Sequence, residues 1–137
     1  MITYALDSNT VSYFLRNEGN VRDCFKRESI KNMYAIPLTV FYEVKRWLLY
    51  KPTKITRQYA QEFDVLFQSV QENSEMPIEV YKKAADIYMA LKQKGQLIHD
   101  ADIMIAAYCL ANNYILVTRN TDDFNRISDL KHVNWFD

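Results

Sequence analysis

ADIMIAAYCLANNYILVT, residues 101–118, holds two buried elements in succession. Residues 101–111 (ADIMIAAYCLA) are apolar almost all round, the mark of a helix covered on every side. Residues 115–118 (ILVT) form a short continuous apolar run, which reads as a buried strand. Working back toward the N-terminus, Pro77 opens a helix through Val80, Ala84, Ile87, Tyr88 and Leu91 that Gly95 stops. Before it, Ile55, Tyr59, Phe63, Leu66, Phe67 and Val70 form a long helical stripe, the clearest amphipathic signal in the chain. Val40 to Leu49 predicts a further helix, which Pro52 stops. MYAI at 33–36 reads as a short strand closed by Pro37, since proline cannot donate to a ladder. Val11, Phe14 and Leu15, then Val21, Cys24 and Phe25, repeat the spacing of two short helices, separated by Gly19 and Asn20. ITYAL at 2–6 opens the chain as a strand, with Ser8 and Asn9 supplying N-cap chemistry after it, and His132 to Phe136 predicts a last short strand. Strands alternating with helices predict a three-layer α/β/α domain over residues 1–137, with a mostly parallel central sheet of about four or five strands.

Composition agrees. The chain has 137 residues, 49% apolar and 25% charged, with two Gly and three Pro. That is neither disordered nor low-complexity. A chain of this length buries roughly two thirds of its unfolded surface, so it needs no disulfide or metal staple to fold. Cys24 and Cys109 are far apart in apolar helical patterns, and read as reduced, buried thiols of a cytoplasmic protein. No apolar run reaches the ~18 residues of a membrane span, and the N-terminus has no basic start and meets Asp7 at once, unlike a signal peptide. Lys plus Arg equals Asp plus Glu at 17 each, which argues against nucleic-acid binding by bulk charge alone. A local basic surface beside a local acidic site stays open.

Ligands of open α/β sheets bind outside the carboxyl ends of the strands. Asp7 stands at the carboxyl end of the first strand, Glu43 about two helical turns after the second, and Asp102 in the first turn of the buried helix. Asn120 and Asp122 follow the late strand. Each has a plainer reading too. Asp7 can cap the helix after it, Glu43 can be a solvated charge beside Lys45 and Arg46, Asp102 can face a helix dipole, and Asp122 and Asp123 can be turn residues. Taken together, three gathered carboxylates repel one another and call for a cation. Oxygen-only ligation suits Mg²⁺ or Mn²⁺ rather than zinc, since His99 and His132 are far apart and form no cluster with cysteine.

These segments resemble PIN domains, most closely the VapC toxins of bacterial type II toxin–antitoxin systems. ITYALDSNT is similar to that family's opening strand and Leu-Asp-Ser/Thr-Asn, and IPLTVFYEVKR resembles its second strand and Glu-bearing helix. GQLIHDADIMIAA resembles its Gly-x-x-Ile, Asp and Ile-Ala-Ala helix, ILVTRNTDDF its late strand and polar turn, and VNWFD its closing strand. The resemblance implies that Asp7, Glu43 and Asp102 bind the metal. Where the family often has a fourth acid this chain has Asn120, a further catalytic candidate, with Asp122 and Asp123 nearby. His99 and Trp47 stand where smaller residues are common, on the rim of the site. The implied activity is a Mg²⁺- or Mn²⁺-dependent endoribonuclease that hydrolyses RNA, tRNA included, through a metal-activated water. The implied assembly is a homodimer inhibited by a small antitoxin protein, with no membrane association.

RNA also needs a surface. Lys45, Arg46, Lys51, Lys54 and Arg57 occur with no acid among them, interleaved with Trp47, Tyr50 and Tyr59. Basic groups track a phosphate backbone and aromatics stack on bases, but the same aromatics also suit helix packing or a dimer interface. Three other classes compete: a metal-free ribonuclease using His99 and His132, a phospho-acceptor receiver domain, and a PIN-like module that binds RNA or protein without cutting. Arg119 is the only basic residue just after ILVT, and no acidic pair stands at Asp7, which disfavours the receiver.

Overall fold

The computed structural model describes residues 1–137. The elements run β1 (Thr3–Leu6), α1 (Ser8–Arg16), α2 (Val21–Glu28), β2 (Met33–Ala35), α3 (Leu38–Tyr50), α4 (Lys54–Val70), a 3-10 turn at Gln71–Asn73, α5 (Ile78–Gln93), α6 (Asp100–Asn112), β3 (Ile115–Val117), α7 (Thr121–Phe124) and β4 (His132–Val133). The sheet has four strands in the order β2-β1-β3-β4, all parallel, with helices flanking it. This is the α/β architecture expected from the alternation of strands and helices.

The two central strands carry the buried apolar runs. Ala5, Leu6, Leu116 and Val117 are essentially inaccessible, as strands covered by helices on both faces require. Their register pairs Tyr4 with Ile115 and Leu6 with Val117. β1 pairs with β2 on one side and with β3 on the other, so the chain leaves β1 in one direction and returns across it. That makes the carboxyl ends of β1 and β3 a topological switch point, where a crevice opens in such sheets. Helix ends follow local chemistry. Thr53 and Thr56 form a reciprocal capping box at the start of α4, and Pro37 and Pro77 precede α3 and α5 as N-caps, where a missing N–H costs nothing.

Three expectations need correction. The last strand covers only 132–133 of the expected 132–136. Trp135 is buried not by a ladder but by packing against Tyr4 and Tyr34, at centroid distances of 5.1 and 6.1 Å. Ile55 is exposed although it lies on the α4 stripe, and burial along α4 is complete only from Phe63 onward. Cys24 is only partly buried, whereas Cys109 is fully buried and its thiol is pushed far up by burial; both are free thiols.

The C-terminal aromatics also explain one glycine. Gly19 has φ +62°, and a Cβ there would meet the Phe136 ring and carbonyl at 2.7 Å. The Asn20 amide donates to that same carbonyl at 3.0 Å. Gly19→Ala is therefore expected to destabilise the protein by about 2 kcal/mol or more, from left-handed strain plus overpacking. The check is a lower urea midpoint at unchanged slope; an unchanged midpoint contradicts this packing.

Candidate active site

Asp7 follows β1 directly and is buried, with φ −80° and ψ 174°, the extended geometry of an N-cap. Its Oδ1 accepts from the Thr10 amide at 2.8 Å, and its own amide donates to the Val117 carbonyl at 3.2 Å, tying it to the end of β3. Asp7, not Ser8 or Asn9, is thus the cap of α1, while Ser8 is the first helical residue. The Ser8 hydroxyl donates to Glu43 Oε1, so α1 holds the Glu43 side chain across to α3. Thr10 donates its hydroxyl to the Val117 carbonyl at 3.0 Å, which locks α1 against the same strand end.

Asp102 lies in the first turn of α6 and is half-buried, beside Asp100. Asn120 caps α7 by position; its amide Nδ2 donates to Asp123 Oδ2 at 2.9 Å and its backbone N–H donates to the Thr118 hydroxyl at 3.0 Å. Asp123 also approaches Arg126 at 3.7 Å, and Asp122 is exposed.

Asp7, Ser8, Glu43, His99, Asp102 and Asn120 all line one cleft of about 270 Å³, at the switch point between β1 and β3. The four residues singled out from the sequence are therefore brought together, along with Ser8, which was read only as capping chemistry. The signals for Ser8 were its adjacency to Asp7 and its place in the Leu6-Asp7-Ser8-Asn9 motif. His132 belongs elsewhere: its Nε2 pairs with Asn125 Oδ1 at 2.8 Å on the far side of α7 in sequence, and it does not line the cleft.

The electrostatics follow from this crowding. Burial pushes the Asp7 carboxyl above its usual range, and Glu43 adds to the rise, while the Thr10 and Thr118 side chains and the Thr10 amide pull it down. Asp102 is raised to about 6, first by burial, then by the charges of Glu43, Asp7 and Asp123, with His99 opposing. Such mutual elevation is what like charges in a partly desolvated cleft produce. No three Asp, Glu, His or Cys side chains converge closely enough here to hold an ion. The carboxylates share a cleft without forming a closed ligand shell. Their donor chemistry still fits a hard divalent cation: Asp7, Glu43 and Asp102 offer carboxylate oxygens, Asn9 and Asn120 amide oxygens and Ser8 a hydroxyl, with His99 the one nitrogen donor and no thiol among them.

Comparison with known proteins places the family. The PIN domain model matches residues 4–130, and the chain belongs to the PIN domain family. It is 39% identical over 67 residues to ribonuclease VapC1 of Methanocaldococcus jannaschii, covering 49% of this chain and 46% of that protein. It is 44% identical over 45 residues to ribonuclease VapC2 of Rickettsia felis, covering 33% of this chain and 34% of that protein. The chain thus matches between a third and a half of the length of these curated relatives. The fold matches a chain in the crystal structure of VapBC2 from Rickettsia felis bound to a promoter DNA fragment, with TM-score 0.84 and 24% identity over 98% of this chain and 99% of that one. The resemblance seen in the sequence motifs is borne out. No helix of the chain is long and apolar enough to cross a membrane.

Proposed function

We propose that residues 1–137 form one PIN nuclease domain that acts as a Mg²⁺- or Mn²⁺-dependent endoribonuclease, the toxin of a toxin–antitoxin pair. The observation that supports this reading is the single cleft lined by Asp7, Glu43, Asp102 and Asn120 at the sheet's switch point. The partial identity to ribonucleases VapC1 and VapC2 supports RNA as the substrate class. The match to a VapBC2 complex supports a small protein partner.

A divalent cation in this cleft supplies activation of water and neutralisation of phosphate charge. The chain's own residues do the rest. Asp7 is oriented by the Thr10 amide and Asp102 is placed by the first turn of α6, and these two would hold the cation. Glu43, held by Ser8, would complete the oxygen set or orient the attacking water. Asn120 is fixed through Asp123 and hydrogen-bonds a phosphate oxygen. In-line attack by water leaves a 5′-phosphate and a 3′-hydroxyl. Exposed Tyr81 and Met89 on α5, together with Leu97, support a homodimer contact, to be read by sedimentation equilibrium.

One observation favours a second reading, a PIN-like module that binds RNA or protein without cutting it: the carboxylates stand apart rather than converged. Chelation separates the two. Chelator is expected to stop cleavage of RNA and added Mn²⁺ or Mg²⁺ to restore it. His99→Ala is expected to stay within about tenfold of wild type, because a general base contributes roughly a hundredfold or more. No cleavage at any metal concentration favours the binding module; chelator-resistant cleavage overturns the metal assignment.

A further inference from the structure

A second cleft, of about 550 Å³, adjoins the first and shares Ser8, Asn9 and Glu43 with it. Helix periodicity builds its walls. Ser8, Ser12 and Arg16 recur every four residues along α1, and Glu43, Arg46 and Trp47 stand at i, i+3 and i+4 on α3. The channel starts at the Ser8–Glu43 hydrogen bond and reaches Arg16 ~12 Å further along α1.

Its chemistry differs from that of the carboxylate cleft. Arg46 is exposed and pairs with no carboxylate; its guanidinium lies 5.1 Å from the Tyr42 ring centroid. Arg16 stands at the mouth, bonded to Glu18 at 2.8 Å and to Ser12 at 3.1 Å. Trp47 is stacked on Tyr59 at 6.2 Å and 22°, yet stays 36% exposed. Lys45, from the same basic run, pairs with Asp64 and lies 5.7 Å from the Phe41 and Phe63 centroids. It is committed to packing α3 against α4, and does not line the channel.

We propose that this second cleft carries the single strand of RNA adjoining the cut, with Arg46 on a backbone phosphate, Arg16 at the next position outward, and Trp47 stacked on an unpaired base. The assignment rests on the ribonuclease reading and adds the path by which substrate enters. An unpaired arginine beside an aromatic braced by a second ring is the combination that holds single strands through charge and stacking. Continuity through Ser8 and Glu43 lets one strand occupy both clefts. A cation in the carboxylate cleft and a guanidinium in this one would then meet neighbouring phosphates of the same chain.

The test uses the whole protein in chelator, where nothing is cut, and a short single-stranded RNA of mixed sequence. Trp135 is buried, so a change in tryptophan emission on binding reports Trp47. The RNA is expected to quench that emission, and the duplex of the same sequence to leave it unchanged. Trp47→Phe abolishes the quench while keeping most of the affinity, and Trp47→Ala weakens binding about tenfold. Arg46→Ala lowers the slope of log affinity against log salt by about 0.7, the value for one phosphate of a single strand. A quench that persists in Trp47→Phe, or an unchanged salt slope in Arg46→Ala, overturns the proposal. So does a quench by poly-glutamate and not by RNA, which assigns the cleft to an acidic protein partner. Cleavage in Mn²⁺ is measured on the same variants. RNA binding with these signatures but no cleavage refutes the nuclease and keeps the cleft, whereas cleavage without them refutes the cleft alone.

Discussion

Asp102→Asn is expected to reduce RNA cleavage by about a thousandfold or more, the scale of losing one preorganised charged group at a reacting phosphate. The same change should make the metal-free protein more stable near neutral pH. The Asp102 carboxyl is raised to about 6, so the folded state holds its proton more tightly than the unfolded chain does. That preference contributes stability below the ordinary carboxylate range and is lost as the pH rises through about 6. At pH 7.5 the ionised side chain is a cost, on the order of 1 kcal/mol once discounted for its half-exposure to solvent. Asp102→Asn removes that cost and relieves Glu43 and Asp7 as well. Thermal melts in chelator should show the variant a few degrees above wild type at pH 7.5 and level with it at pH 4. If Asp102 holds the ion as proposed, excess Mn²⁺ should then raise the wild-type melting temperature and leave the variant where it was. A variant that is less stable than wild type at both pH values contradicts the electrostatic reading of this cleft.

Asp7 is expected to show an equal loss of cleavage with a different stability signature, because it does two things at once. It caps α1 through the Thr10 amide, and it sits buried at the strand end with its carboxyl raised by burial. Asp7→Asn keeps an acceptor for the Thr10 amide and removes the charge, so the fold survives while cleavage falls by about a thousandfold. Asp7→Ala loses the cap too and should be less stable than Asp7→Asn by about 1 kcal/mol. The check is urea unfolding of the two variants beside an RNA cleavage assay. Equal stability of the pair removes the capping role; cleavage at the wild-type rate in either removes the catalytic one.

The parts of this molecule written in short-range pattern were readable from the chain. ILVT and the all-round apolar 101–111 segment gave the central strand and its helix; Asp7 directly follows β1, Glu43 lies inside α3, the helix after β2, and Asp102 lies in the first turn of α6. The residues that packing alone decides were not readable. His132 to Phe136 carries the composition of a strand, but Trp135 is apolar because Tyr4 and Tyr34 surround it, not because it joins a ladder. The basic run from Lys45 to Arg57 reads as one surface, yet Asp64 claims Lys45 and leaves Arg46 free in the second cleft. No spacing rule connects residues 45 and 64, since that pairing depends on how α3 lies on α4. Ser8 escaped for a similar reason. Its hydroxyl meets Glu43 only because Thr10 and Asp7 pin α1 to the end of β3.

The measurement that bears most directly on the central claim is sequencing of RNA ends after total cellular RNA is incubated with this protein and Mg²⁺, with Asp7→Asn run in parallel. The account predicts new ends at a restricted set of sites, carrying 5′-phosphates and 3′-hydroxyls, absent with Asp7→Asn and absent in chelator. No new ends, or ends bearing 2′,3′-cyclic phosphate that form equally with Asp7→Asn, would contradict it.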